Sequence, residues 1–404
     1  MTIPVPIVLT SAQHAEVAMD FALSAALRSP QVIAAASNVK SAFTLARSGR
    51  STASGQLTIA PWLGSPNGTT EEFLFTQSLE AGGRRTARVS SPDVLLLDAQ
   101  STFDETLVSV YSKILVRIAQ LLSAERSYTH ALHIENNLAE TLRVIEIQVL
   151  AGTKPGSDLE VARAMWNAAQ LDSQLALART QAHRTNLEAY AVDTDTKNTI
   201  PPVFTLPDRS SLVSGNSIEL RGAVSAARLS ADRLAAVASG RPDISIVIRS
   251  QNFTRNFTPN DRGLAVQVSI PIDHGTNKAN SAAILSQLSN IKMQVKDDQI
   301  KQTSLRIAID ANIAGLDIGI AKTQEAVIRP LSTYVSKMQR AYTAGTVTVL
   351  AFLDAQRSYH DAKHKLITLQ DQRDMALLQL IEQGGMVPNQ LVASTKQTDR
   401  KRNN

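Results

Sequence analysis

The sequence predicts a mainly α-helical fold with a small β part: two tandem repeats of a long, coiled-coil-like helical hairpin, each carrying a two-stranded β-hairpin. Three observations predict it. Short motifs recur in chain order at a nearly constant offset, two helical stretches are too long for a globular core, and two pairs of short segments alternate with period two.

The repeat organises the rest. Leu27-Arg28 returns as Leu220-Arg221, Leu79-Glu80-Ala81-Gly82 as Ile272-Asp273-His274-Gly275, and Ala151-Gly152-Thr153 as Ala344-Gly345-Thr346, each at an offset of 193. Ser48-Gly49-Arg50 returns as Ser239-Gly240-Arg241 at 191. The expected division is an N-terminal segment 1–15, a first repeat 16–205, a second repeat 206–390 and a disordered basic tail 391–404.

Each repeat opens with a helix, 16–47 (broken at Pro30) and 217–238, ending at a glycine as helix C-termini prefer. Two strands follow: about 56–63 and 72–79 around Ser65-Pro66-Asn67-Gly68, then about 243–251 and 263–272. Ile244, Ile246 and Ile248 alternate with Ser245, Val247 and Arg249, as a strand with two unlike faces requires. Gly82, Gly83 and Gly275 are expected to turn the chain from strand into helix.

The first long helix, about 84–150, would span roughly 100 Å. Leu107, Val110, Ile114, Leu121, Ala124, Tyr128, Ala131, Leu138, Leu142, Ile145 and Val149 share a seven-residue seam interrupted by Arg117 and Glu135. The second, about 277–342, should kink at Pro330. Return helices are expected over about 158–190 and 349–382, with a polar, proline-bearing connector at 193–214.

Composition narrows the function classes. The chain has no cysteine, which excludes disulfides, thiolate catalysis and zinc–cysteine sites. No run approaches 18 consecutive apolar residues, so no transmembrane helix is expected. Residues 1–15 have no positive n-region and contain two prolines, so they are not read as a signal peptide; export would need a signal outside this sequence. Lys396, Arg400, Lys401 and Arg402 form a solvated tail without interleaved aromatics, so no nucleic-acid partner is expected. His130 with His133, and His360 with His364, have metal-compatible spacing, but no third ligand is evident in the sequence, so no metal site and no cofactor are expected. No phosphate loop, nucleophile elbow or coenzyme fingerprint occurs, and no enzyme activity is expected.

Four strands cannot close a barrel, and in lipid no strand edge stays unpaired, so several chains would have to share one wall. Three chains would supply twelve strands, an even number in the usual range. Trp62, Phe73, Phe75, Phe253 and Phe257 fall in the hairpin regions as candidate interfacial aromatics.

The order helix–strand–strand–long helix–turn–helix, given twice, resembles the TolC family of outer-membrane efflux proteins. The segment from Tyr342 through Ala344-Gly345-Thr346 to Phe352-Leu353-Asp354-Ala355 is similar to the family's second hairpin tip. The segment from Phe75 to Arg85 is similar to its strand-to-helix junction, in a version closer to the heavy-metal (cobalt–zinc–cadmium) branch. The resemblance covers about residues 16–385 and implies a homotrimer, with a twelve-stranded barrel in outer-membrane lipid and an α-helical tunnel reaching into the periplasm. Its partners would be a periplasmic adaptor and an inner-membrane pump of the RND or ABC type. The implied role is a passive duct in tripartite efflux or type I secretion.

Residue by residue, the resemblance makes Tyr342 a gating tyrosine, Asp158 the aspartate that partners it, and Asp354 a carboxylate of the constriction. Val347 and Ala351 stand where a gating arginine and a second carboxylate can stand, which implies a tip with fewer charged ties. Gly152, Thr153, Gly345 and Thr346 match the turns that meet the adaptor. Without the resemblance, Asp158 reads as a helix N-cap, Asp354 as a solvated surface residue, and the Gly-Thr turns as tight helix–helix connections. A periplasmic adaptor and a soluble coiled-coil scaffold are the alternatives for the chain as a whole.

Overall fold

The computed structural model describes residues 11–50, 56–65, 68–79, 83–190, 206, 209–214, 217–239, 243–253, 262–269, 276–383 and 385–388. In order the elements are α1 (Ser11–Arg28), α2 (Pro30–Gly49), β1 (Gln56–Ser65), β2 (Gly68–Leu79), α3 (Arg84–Leu150), α4 (Gly156–Glu188), β3 (Leu212–Ser214), α5 (Ser217–Ser239), β4 (Asp243–Phe253), β5 (Arg262–Ser269), α6 (Thr276–Lys322), α7 (Arg329–Thr343), α8 (Val349–Glu382) and β6 (Met386–Pro388). A π-helical segment, Thr323–Ile328, joins α6 to α7, and a short 3₁₀ turn, Arg209–Ser211, precedes β3. Residues 1–10 and 389–404, with Gly82, Gly240 and Gly275, lie outside the described residues.

Two compact units form, and each takes stretches from both halves of the sequence. One comprises 33–106 and 216–300; the other comprises 1–32, 107–215 and 301–404.

The first of these holds an antiparallel sheet of order β1-β2-β4-β5. β1 and β2 are joined across Pro66-Asn67, with Ser65 opposite Gly68. β2 pairs β4 over ten positions, from Thr70 opposite Phe253 to Leu79 opposite Ile244, so the two hairpins become one sheet. Within the chain, β1 and β5 are its edges. Pro61, which cannot donate to a ladder, lies in edge strand β1. Phe75 pairs with Ile248, Ile248 pairs with Leu264, and Val268 lies four residues further along β5, so Phe75, Ile248 and Val268 share one face. All three are exposed, at 37%, 44% and 53%.

Helix ends follow local chemistry. Pro30 is the first residue of α2, where its missing N–H costs nothing, and the helix preceding it stops at Arg28. Gly83 enters α3 at φ +89°, and its carbonyl accepts from the Ala87 N–H at 3.0 Å. α3 tolerates Pro92 near its start, with the proline ring against Gly49, where a Cβ would lie 3.0 Å from Pro92 Cγ. Pro330 ends the regular ladder of the second long helix. Its ring would collide with the Ala326 carbonyl in an α-helix. The chain widens into a π-turn instead, and the Arg329 N–H reaches the Gln324 carbonyl, five residues back.

In the other unit α3 is the spine. Leu107, Val110, Ile114, Leu121, Leu138, Leu142 and Ile145 are buried, and a second row, Tyr111, Leu115, Ile118 and Leu122, is buried beside them. Arg117 points out and bonds Gln120. The seam is therefore wider over 107–122 than a strict seven-residue pattern implies. One stretch of α3 is long and apolar enough by composition to cross a bilayer, unlike the expectation from unbroken apolar runs; 56% of it is buried inside the protein. Burial, then the charge of Asp20, pushes the Tyr111 hydroxyl above its ordinary pKa.

The connector contributes structure that its polar composition conceals. β3 pairs antiparallel with β6, Val213 opposite Val387, and Arg209 binds Asp310 at 2.7 Å. Gly385 lies at φ +63°, and a Cβ there would displace the side-chain amide of Gln302.

A polar network ties α3 to α8. Arg126 reaches Asp374 at 2.8 Å and Asp371 at 3.1 Å, and the Ser123 hydroxyl donates to Asp371 at 2.6 Å. Asp374 is only 6% exposed, and burial raises its pKa despite the opposing pull of Arg126 and Arg373. Losing one partner of a buried pair costs far more than replacing both. Arg126→Ala should cost about 3 kcal/mol in chemical denaturation, while Arg126→Met combined with Asp374→Leu should recover most of that loss.

Candidate functional site: the paired helix-hairpin turns

α3 and α4 meet at Ala151-Gly152-Thr153, and α7 and α8 meet at Ala344-Gly345-Thr346. The two turns share one hydrogen-bond scheme. Ala151 N–H donates to Ile147 O at 3.0 Å, Gly152 N–H to Val149 O at 2.9 Å, and Thr153 N–H to Gln148 O at 3.0 Å. Ala344 donates to Arg340 at 2.9 Å, Gly345 to Tyr342 at 3.0 Å, and Thr346 to Ala341 at 2.9 Å. This is a Schellman closure, with glycine left-handed at φ +71° in one turn and +75° in the other. Each threonine hydroxyl repeats its own backbone bond, Thr153 to Gln148 O at 2.8 Å and Thr346 to Ala341 O at 2.9 Å. Both threonines are exposed.

One apolar cluster lies beneath both turns. Leu138, Leu142, Ile145, Ala162, Ala169, Tyr342, Val349, Phe352 and Leu353 are buried in it, with Val149, Trp166, Met338 and Val347 packed against its margin. Tyr342, 2% exposed, is its centre. Its ring stacks on Phe352 with centroids 5.5 Å apart and planes 10° off parallel. The Lys154 ammonium lies 5.0 Å from the ring centroid. The hydroxyl donates to Gln148 Oε1 at 2.9 Å, joining the two hairpins at their ends.

Within the chain, Asp158 and Tyr342 share no hydrogen bond. The tyrosine's hydrogen bond goes to Gln148, and Asp158 acts through its charge, which adds to burial in raising the tyrosine's pKa. Asp158 is not the N-cap either: Pro155 holds that position and Asp158 is the third residue of α4, where a carboxylate meets the positive helix end. Among the described residues its side chain has no hydrogen bond or ion pair. Asp354 is exposed on the first turn and a half of α8, with its carboxylate likewise unbonded within the chain. Thr348 caps α8 through the Ala351 N–H at 3.3 Å. Gln148, Phe352 and Lys154 were not among the sequence candidates. Val149 and Tyr342 are 193 residues apart, the offset at which Ala-Gly-Thr recurs, but that offset does not say which side chains meet across the two turns.

The histidines gather as well. His130 and His133 of α3 lie 5.6 and 6.4 Å, ring to ring, from His360 of α8. Among the described residues no group of three or more histidine, cysteine or acidic side chains is arranged to hold a metal ion.

No family model matches the sequence, and no curated protein matches it. Solved structures match its fold. The outer-membrane protein VceC of Vibrio cholerae superposes with TM-score 0.72 at 16% identity, covering 93% of this chain and 98% of that one. The channel CusC gives TM-score 0.72 at 18% identity, covering 95% and 98%. The MtrE outer-membrane channel of Neisseria gonorrhoeae, in its open state, gives 0.68 at 17% identity, covering 92% and 89%. The chain has the fold of the TolC-type outer-membrane channels.

A Cβ at Gly345 would meet nothing within 4 Å, so Gly345→Ala isolates backbone strain and should cost about 1 kcal/mol. Tyr342→Phe keeps the stack but leaves Gln148 without its donor, and should cost about 1 kcal/mol. Equilibrium denaturation of both variants checks the two values.

Proposed function

We propose that the chain is one protomer of a homotrimeric outer-membrane duct, a passive conduit without catalysis that carries small molecules or metal ions from the periplasm to the exterior. The fold shared with outer-membrane channels over nearly the whole chain is the observation that carries this reading. Two features support it. The four-stranded sheet has two edges within the chain and an apolar exposed face, which suits a segment of a twelve-stranded lipid-facing wall. Met293, Ile300 and Ile307 stand exposed at seven-residue spacing on α6, at 72%, 59% and 65%, as an unfilled coiled-coil seam awaiting a neighbouring subunit.

The two halves of the chain are then copies of one unit, a reading supported by the identical closure of their turns. Those turns, Gly152-Thr153 and Gly345-Thr346, are the surfaces offered to a periplasmic adaptor, with an RND or ABC pump beyond it. Asp354 would place three carboxylates around the axis and favour cations. With Val347 and Ala351 in place of further charges, the tip opens with fewer polar ties to break.

Purified in detergent, the protein should run as a trimer by light scattering and insert into planar bilayers as a conducting pore. A water-soluble monomer that does not insert overturns the proposal in favour of a helical scaffold. Asp354→Ala should lower cation preference without abolishing conductance, and an unchanged reversal potential removes Asp354 from the role.

A further inference from the structure

His360 occupies an unusual place for a titratable group. It is 8% exposed, and its Nδ1 is buried without a hydrogen-bond partner. The His130 ring donates from Nε2 to the His360 backbone carbonyl at 3.2 Å, so α3 grips α8 at the residue whose own ring is starved of partners. His130 and His133 line an open cavity of about 620 Å³ between α3, α8 and the π-turn, which lets water reach the cluster.

The charges around it are mostly positive. α8 contributes Lys363, His364 and Asp361, with Tyr359 ring to ring against His360 at 5.6 Å. α3 contributes His130 and His133, with Arg126 and Glu125 on the cavity wall. Arg126 is held by Asp371 and Asp374, and Glu125 by Arg184 at 2.9 Å. The π-turn brings Gln324 and Ile328, neither of them charged. Asp361 alone favours a protonated His360, and its effect is the smallest of those acting there.

We propose that the His130–His133–His360 cluster is an acid-sensitive latch: neutral, it packs α8 against α3 beside the π-turn, and protonation releases that packing. The inference stands on the cluster's geometry and does not rest on the duct reading. Burial and then the neighbouring histidines depress the His360 pKa from 6.5 to about 4, and burial likewise lowers that of His130. A base whose folded pKa is depressed contributes stability that is complete above the unfolded pKa and is lost as pH falls toward the folded one. The window is thus pH 6.5 to about 4, and at pH 5 His360 alone weakens the packed state about 30-fold.

Amide hydrogen exchange on the full chain in detergent, at pH 7.5 and 5.0 and corrected for intrinsic rates, tests this. Protection over residues 356–364 should fall by about 30-fold at pH 5.0 while the turn at 147–153 holds, and the loss should vanish in both His360→Gln and His360→Phe. Wild-type protection that does not change with pH, or an equal loss in both variants, overturns the latch.

Discussion

An unpaired strand edge must find either water or another strand, and in lipid only the second is open to it. On the proposed reading, much of this protein is organised around that constraint. Each half supplies one hairpin, too little to satisfy its own backbone. Pairing of β2 with β4 joins the hairpins and leaves the deficit to the two outer strands, β1 and β5. The helices show the same incompleteness in side chains: α6 carries an apolar row, Met293, Ile300 and Ile307, at seven-residue spacing that is exposed among the described residues. Backbone on one element and side chains on another both call for identical neighbours, which is why the proposed assembly is a homo-oligomer and not a complex with one unlike partner.

The helix-hairpin turns work by different means. Each turn has a glycine in left-handed conformation, one stacked aromatic pair lies beneath them, and an Arg163–Glu146 ion pair at 3.5 Å links α4 to α3. The Tyr342–Gln148 bond is neutral and screened poorly by salt, and the Lys154 ammonium over the Tyr342 ring adds a charged contact between the two hairpins. Among the described residues, the carboxylates of Asp158 and Asp354 beside these turns make no hydrogen bond or ion pair.

Much of this was legible in the sequence because long helices announce themselves. α3 and α8 begin and end at Arg84, Leu150, Val349 and Glu382, where glycine and threonine punctuate the pattern. The seam along α3 was visible through its spacing, whereas its second buried row was not, since Tyr111, Leu115 and Ile118 lie one residue beside the seam positions. The β3–β6 pairing escaped notice because three-residue strands are too short to show alternation. The Tyr342–Gln148 bond was not legible: periodicity places residues on a helix face and says nothing of which polar group across a hairpin lies within 3 Å. The histidine cluster joins residues 230 positions apart, a distance that no local pattern spans.

The π-turn before Pro330 sets the aim of everything after it. One residue too many in a helical turn rotates the downstream helix by about 100° about its axis. α7 therefore presents Val335, Met338 and Tyr342 to the shared core on a face that an unbroken helix from Thr276 would have swung elsewhere. A single-residue deletion within 323–328 would leave helix content intact yet carry the tyrosine away from Phe352, so in this stretch of the chain length is a matter of rotational phase as much as of reach.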